Sequence, residues 1–340
     1  MLTKKRIAAG AGLLAIAAVT GCGGGSSAGG SGGGTGAGGS IKLVAYSTPQ
    51  KAYEELGPAF AKTPEGSGAT IAGSYAASGT QRDKVLNGQP ADVVEFSRSS
   101  DMQKLVDANL VPSTWDSNQY KGMVTDSVAV LIVRKGNPLG IKTWDDLVKP
   151  GVKVVTPNPL SSGSACWNLM AAYGAQLNEG KSDAEALAFV KSLLQHTVAQ
   201  PASGSDSTAA FIGGTGNVLI GYENEAIAAQ QAGDDVDYII PDDTILIENP
   251  IAVTSNASNP TLANNFVKYL YTDAGQKIFA SKGYRPVVAA DLDKKVFPTP
   301  PGLFTIDKLG GWSEVNTKFF DTTNGSITKI ENDLGRGASG

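Results

Sequence analysis

Short apolar runs alternate with helix-forming segments from Ile41 onward, and this alternation limits the fold more than any other feature. Runs such as ADVVEF (91–96) and SVAVLIVR (127–134) have the composition of buried strands. Between such runs, residues 167–177 and 183–195 place apolar side chains at helical spacing. Strands that alternate with helices favour an α/β fold with mostly parallel sheets, whose ligands bind at the carboxyl ends of the strands.

The remaining elements are predicted from the same two patterns. Further strands are expected over residues 41–47, 69–75, 152–157 and 217–222. Helices are predicted over residues 49–62, over residues 80–88 and, as one long amphipathic helix that ends at a glycine, over residues 260–283. Strand and helix therefore alternate along the whole chain after residue 40.

The first forty residues do not belong to this fold. A basic stretch at residues 4–6 precedes an apolar run over residues 7–19 that is short for a membrane span. Small residues then precede Cys22, which resembles the lipobox of bacterial lipoproteins, where the cysteine receives lipid. The alternative is an ordinary signal peptide with a chance cysteine. Residues 23–40 are almost entirely glycine and serine and are expected to form a flexible tether.

Charge and residue counts exclude several classes of protein. With 28 basic and 32 acidic residues the net charge is −4, so the chain lacks the basic surface that nucleic acid requires. The single histidine, His196, cannot build a poly-histidine metal site and is expected at the end of a helix. Two cysteines, Cys22 and Cys166, form no zinc or disulfide framework. No cofactor, metal or nucleic-acid partner is expected, and no constellation of acid, base and nucleophile indicates an enzyme.

Four connections share one pattern, in which a strand ends, small hydroxyl or glycine residues follow, and a helix begins. They are residues 46–48, 77–80, 161–164 and 203–208. A helix start offers free N–H groups and the positive end of the helix dipole, and small residues let an anion approach them. The alternative at each position is N-capping by serine or threonine. Capping is the simpler interpretation of any single start, whereas four of them favour an anion site without establishing one.

Longer stretches resemble a known family. TPNPLSSGSACWNLMAAYGAQ (156–176) and GNVLIGYENEA (216–226) are similar to the sulfate-binding proteins that feed bacterial ABC transporters. Further similar stretches are residues 74–94, 133–138, 144–159, 283–287 and 303–312. The resemblance extends from about Lys42 to Lys329. It implies an α/β, two-lobed, periplasmic-binding-protein-like fold of type II with a ligand cleft between the lobes.

The resemblance also divides the chain and implies its function. The expected parts are a lipoprotein signal peptide (1–21), a tether (22–40), a discontinuous first lobe (41–126 and 251–335) and a second lobe (127–250). The implied protein is an extracytoplasmic, lipid-anchored monomer. It captures sulfate or thiosulfate and delivers it to the permease subunits of an ABC importer. The alternative is a binder of another tetrahedral oxyanion, molybdate or phosphate.

The resemblance implies a set of ligand residues for the anion. They are Ser47, Ser78, Ser162, Gly163, Ser164, Gly204, Ser205 and Tyr222. Backbone N–H groups are expected from Ser47 and from Gly204 or Ser205, where a one-residue gap leaves the match ambiguous. Residues 162–164 match the segment that wraps the anion, and Tyr222 matches a tryptophan that donates its ring N–H.

Six residues depart from the family's pattern or bear on the charge at the site. Ser164 replaces a glycine, and Cys166 stands where an arginine is usual and is expected to be a small buried thiol. The Tyr222 hydroxyl can accept as well as donate. Asp206 is harmless as an N-cap that points away, whereas it would repel the anion if it pointed inward. Glu223 and Glu225 are interpreted as hydrogen-bonding residues at a lobe contact or hinge.

Overall fold

The computed structural model describes residues 38–336, so the predicted signal peptide, Cys22 and most of the tether lie outside the described residues. Within the described range the strands are β1 (Ser40–Tyr46), β2 (Thr70–Ala76), β3 (Val93–Glu95), β4 (Met123–Arg134), β5 (Val154–Val155), β6 (Thr197–Ala199), β7 (Val218–Tyr222), β8 (Val236–Ile239), β9 (Leu246–Val253) and β10 (Arg285–Pro286). The helices are α1 (Gln50–Phe60), α2 (Ser78–Leu86), α3 (Ser99–Asp107), α4 (Gly163–Asn178), α5 (Asp183–His196), α6 (Gly204–Ile212), α7 (Glu223–Ala232), α8 (Pro260–Leu270), α9 (Asp273–Ser281), α10 (Gly311–Val315) and α11 (Ser326–Asp333).

Separate sets of buried side chains define two lobes. In the first lobe, β1–β3 pack with α1–α3, α8 and α9, through residues such as Phe60 and Phe266. In the second lobe, β5, β7 and β8 pack with α4–α7, through residues such as Trp167 and Phe211. Apolar burial of this kind is the main favourable term in folding, so each lobe has a core of its own.

Strands β4 and β9 cross between the lobes. The first half of β4 pairs with β9 and β10, and its second half pairs with β7 and β8. The end of β9 pairs in turn with β3 of the first lobe. The strand order β2-β1-β3-β9-β4-β7-β5-β6 therefore runs from one lobe into the other through these two strands.

The prediction of mostly parallel sheets is wrong. Among the described residues, four strand pairs are parallel and five are antiparallel. The chain leaves the first lobe along β4 and returns to it along β9, so these two strands must run in opposite directions. Each then imposes antiparallel pairing on part of the lobe that it enters.

The single long helix predicted over residues 260–283 is also wrong, because α8 and α9 are separate. The Thr272 hydroxyl accepts a hydrogen bond from the Gly275 N–H at 3.2 Å and so starts α9 as an N-cap. The amphipathic pattern continues through the break because both helices pack on the first lobe.

The C-terminal segment packs on the second lobe. Phe304, Trp312, Phe319 and Ile327 lie in the same core as Trp167 of α4. From the sequence, residues 251–335 were expected in the first lobe. The segment after residue 303 instead packs on the core of the second lobe. Its apolar face is complementary to α4 and α5, which no local pattern indicates.

Candidate anion-binding site

The predicted ligand residues come from both lobes and meet between them. The Ser205 N–H of α6 points to the Ser47 hydroxyl at the end of β1, with a distance of 3.5 Å from nitrogen to oxygen. A Cβ placed on Gly204 would lie 3.2 Å from the Ser164 hydroxyl oxygen and 3.3 Å from the Thr48 methyl carbon. The starts of α4 and α6 therefore approach each other and the end of β1.

The side chains at these helix starts distinguish an anion site from ordinary capping. Pro49, Ala77 and Ser162 precede α1, α2 and α4, and none of them makes a side-chain hydrogen bond to its helix. At α6, by contrast, the Ser203 hydroxyl accepts from the Asp206 N–H at 3.2 Å. The capping interpretation thus holds at α6 alone of the four. At α2 the Gly79 N–H donates to the Ser161 carbonyl at 3.2 Å, which joins the starts of α2 and α4, while the side chains before α1 and α4 leave the first N–H groups of those helices available.

The start of α4 is buried and closely surrounded. Ser162 and Ser164 are 2% and 4% exposed. A Cβ on Gly163 would lie 2.7 Å from the Ser97 hydroxyl oxygen, so this position requires glycine. The Ser162 hydroxyl is free of the capping bond that this position usually makes, which leaves it able to donate to a ligand.

Ser78 uses its hydroxyl within the protein. The hydroxyl donates to Asp101 Oδ2 at 2.8 Å and accepts from the Ser97 N–H at 3.1 Å. A contact of Ser78 with an anion would therefore come from its backbone N–H at the first position of α2.

Tyr222 lies at the end of β7 and is fully buried. Its hydroxyl is 2.8 Å from the Ser97 hydroxyl, and either oxygen can be the donor. Burial raises the pKa of Tyr222, while its hydrogen bonds with Ser164 and Ser97 lower it less, so the hydroxyl keeps its proton. This contact also joins the second lobe to Ser97 of the first.

Ser97 and Arg98 carry no motif, and neither was predicted as a site residue. Ser97 contacts Ser78 and Tyr222, and its carbonyl accepts from the Trp167 ring N–H at 2.7 Å. Both residues directly follow the predicted strand 91–96, as Ser47 follows β1. That position at a strand end is the signal that could have found them.

Asp206 is part of a helix cap and Cys166 is a buried thiol, as expected for both residues. Asp206 is exposed, and its carboxylate accepts from the Ser203 hydroxyl at 2.7 Å, so it belongs to the cap of α6. Cys166 is 0% exposed, and burial raises the pKa of its thiol to about 11 although Arg98 opposes this shift. The thiol is therefore neutral and shielded.

The two glutamates of α7 have different surroundings. Glu223 forms a buried ion pair with Arg285 of β10, with 2.6 Å between Arg285 Nε and Oε2. Glu225 accepts from the Tyr222 N–H at 3.1 Å and from the Thr208 hydroxyl at 3.1 Å. Burial raises the pKa of Glu225 to about 7 because no cation pairs with it among the described residues. Glu223 therefore links the second lobe to the strand that follows α9.

Two kinds of structure are absent from residues 38–336. Within that range, no helix combines the length and the apolar character that crossing a membrane requires. Nor do three or more His, Cys, Asp or Glu side chains gather there in a way that could hold a metal ion. The candidate site residues offer N–H groups and hydroxyls, and the Glu225 carboxylate lies beside Gly204.

Two lobes with separate cores, crossing strands and a polar site between them define a solute-binding protein of the periplasmic type. The family model of bacterial extracellular solute-binding proteins matches residues 41–285, and the chain belongs to this family. The predicted two-lobed fold class and the resemblance deduced from residues 156–176 and 216–226 are both confirmed by similar proteins.

Several known proteins are similar over most of the chain. The sulfate-binding protein of Synechococcus elongatus is 38% identical over 291 residues, which cover 82% of this chain and 83% of that protein. The thiosulfate-binding protein of Pseudomonas aeruginosa is 33% identical over 296 residues, covering 82% and 88%. The structure of the sulfate-binding protein SubI from Mycobacterium tuberculosis superimposes with a TM-score of 0.81 at 43% identity, covering 83% and 99%.

Proposed function

We propose that the protein captures sulfate or thiosulfate between its lobes and delivers it to the permease of an ABC importer. The observation that carries this proposal is the convergence of the starts of α2, α4 and α6 with the end of β1, close to the Tyr222 hydroxyl. The relatives named for sulfate and thiosulfate support the choice of anion. The assigned ligand residues are Ser47, Ser78, Ser162, Gly163, Ser164, Gly204, Ser205 and Tyr222.

The chemistry of this site suits a fully ionised oxyanion. Helix starts and hydroxyls donate hydrogen bonds, and bonds to a charged acceptor are stronger than neutral ones. Arg98 is the cation beside the start of α4, and its charge is balanced by Asp101 at 3.2 Å. The anion's charge would therefore be met by hydrogen-bond donors and helix dipoles.

Calorimetric titration of the ligand-free protein tests the proposal directly. Sulfate and thiosulfate are expected to bind, while molybdate and phosphate are expected to bind more weakly or not at all. Tight binding of molybdate or phosphate with weak binding of sulfate would support the alternative oxyanion. Absence of heat with all four anions would contradict the proposed function.

Replacing Ser162 by alanine is expected to weaken sulfate binding about tenfold to a hundredfold. The variant Ser162→Ala removes one hydrogen bond to a charged ligand, which is worth about 1.5–3 kcal/mol. The matched control is Ser161→Ala, because the Ser161 hydroxyl donates to the Ala202 carbonyl at 3.0 Å. Calorimetry on both variants measures the difference, and equal affinities would mean that Ser162 does not contact the anion.

We also propose a lipid anchor at Cys22, with the protein held as a monomer at the outer face of the cell membrane. The variant Cys22→Ser is expected to move from the membrane fraction into the medium, since it has no acceptor for the lipid. The control Cys166→Ser, which changes the buried cysteine, is expected to stay with the membrane. Retention of Cys22→Ser after a high-salt wash would contradict the anchor.

A further inference from the structure

Arg98 is a first-lobe residue whose side chain ends among second-lobe groups. It lies between β3 and α3 and is 9% exposed. Its Nη1 atom is 3.1 Å from Cys166 Sγ and 3.4 Å from Asn316 Oδ1. Its guanidinium carbon is 5.2 Å from the centre of the Trp312 ring. Cys166, Asn316 and Trp312 all belong to the second lobe or to the C-terminal segment that packs on it.

The other side of the guanidinium is held within the first lobe. Arg98 Nη2 is 3.2 Å from Asp101 Oδ1, and Arg82 Nη1 approaches the same oxygen at 2.6 Å. Asp101 also accepts from the Ser78 hydroxyl. Asp101 would therefore keep two partners if Arg98 were replaced, which makes Arg98 removable without leaving a buried carboxylate unpaired.

The small side chain of Cys166 makes this contact between the lobes possible. Its thiol donates to the Pro159 carbonyl at 3.6 Å, so a sulfur lone pair faces Arg98 Nη1. Gly163 adds space, because a Cβ there would lie 3.3 Å from Arg98 Cγ. A bulkier residue at either position would exclude the guanidinium from the start of α4.

We propose that Arg98 is a positioning residue that holds the two lobes closed over the bound anion. The proposal rests on the function proposed above, because an anion bound by both lobes can leave only when they part. Arg98 with Cys166, Asn316 and Trp312 forms what we call the Arg98 latch. The latch lies beside the start of α4 and acts on the closed state without touching the anion.

The test compares Arg98→Met with Arg82→Met in sulfate binding. Arg82 pairs with Asp83 and Asp101, both in the first lobe, so its replacement removes the same charge near Asp101 and spares the latch. The interaction free energy of a buried cation with an aromatic ring corresponds to a factor of about two to thirty in affinity. Arg98→Met is expected to bind sulfate more weakly by that factor, with most of the change in the dissociation rate. Arg82→Met is expected to match the wild type within about twofold.

The outcomes separate this inference from the proposed function. If the wild type binds sulfate and Arg98→Met binds it with the same affinity and dissociation rate, the latch is overturned and the proposed function is not. An equal loss in Arg82→Met would also overturn it, because the effect would then come from Asp101. No sulfate binding by the wild type would overturn the proposed function and the latch together. If Arg98→Met does not fold, Trp312→Leu leaves every Asp101 contact in place and carries the same expectation of faster dissociation.

Discussion

At neutral pH the protein is expected to bind sulfate at least about a hundredfold more tightly than hydrogen phosphate. Sulfate only accepts hydrogen bonds, whereas hydrogen phosphate carries a proton that needs an acceptor. A site of N–H groups and hydroxyls leaves that proton unpaired, and an unsatisfied buried donor costs about 1–3 kcal/mol. Sites that pair every polar group with one ligand reject a near-isostere more strongly still.

The Tyr222 hydroxyl decides whether this selectivity is reached. Its lone pair could accept the phosphate proton, but the Ser97 hydroxyl lies 2.8 Å away and can occupy that lone pair as a donor. The Tyr222 proton is then free to be donated to the ligand. The Glu225 carboxylate, whose Oε1 lies beside Gly204, already accepts from the Thr208 hydroxyl at 3.1 Å. Asp206 offers no alternative acceptor, because its carboxylate is exposed and bonded to Ser203.

Two variants measured with both anions test this account. Ser97→Ala frees the Tyr222 lone pair and is expected to narrow the ratio of the sulfate and phosphate affinities. Tyr222→Trp supplies a donor without a lone pair and is expected to keep or widen the ratio. Calorimetric titration at neutral pH measures each ratio. Equal wild-type affinities for the two anions would show that the site contains an acceptor.

Replacing Glu95 by glutamine is expected to stabilise the protein by about 3–5 kcal/mol above pH 8. Glu95 ends β3 and is 0% exposed, and neither carboxyl oxygen has a hydrogen-bond partner among the described residues. Burial raises the pKa of Glu95 to about 8. A charge at this position is unfavourable because burial raises the pKa of Glu95 by more than the nearby Tyr53 hydroxyl lowers it.

The sign of the pH dependence follows from proton binding. Between about pH 4.5 and pH 8 the folded protein keeps the Glu95 proton that the unfolded chain has lost, so stability falls as pH rises through this window. Below it both states are protonated, and above it the full penalty is present. Glu95→Gln has no such titration, and its advantage over the wild type is therefore small at pH 5 and largest above pH 8.

Denaturant unfolding of both proteins at several pH values measures the difference. Burial raises the pKa values of Asp126 and Glu225 to about 7. Both groups titrate in the wild type and in Glu95→Gln, so their contributions cancel in the difference between the two stability curves. Glu65→Gln changes an exposed glutamate and is expected to leave the wild-type curve unchanged. A constant difference between Glu95→Gln and the wild type from pH 5 to pH 9 would mean that Glu95 does not titrate in this range.

Local hydrophobic patterns were sufficient to predict several helices and strands. Strand β1, helix α1 and strand β2 lie within about two residues of their predicted bounds, because periodic burial is a property of neighbouring residues. The single helix over residues 260–283 is the exception. Both of its halves face one core, so hydrophobic spacing alone does not indicate the break at Thr272.

The candidate site could be predicted only in part. Residues 162–164 and 203–205 were found because glycine and serine at a helix start form a local pattern. The contacts of Ser97 with Ser78 and Tyr222 span 19 and 125 positions of the chain. No spacing rule connects residues so far apart, and so the donor network and the Arg98 latch appear only in three dimensions.

The sequence by itself determined the α/β alternation and the helix starts that offer N–H groups. These features depend on residues close together along the chain. The tertiary structure alone decided that β4 and β9 run antiparallel between the lobes, that the segment after residue 303 joins the second lobe, and that Arg98 lies against Cys166. Each of these depends on which distant surfaces bury each other, and burial is a property of the whole folded chain.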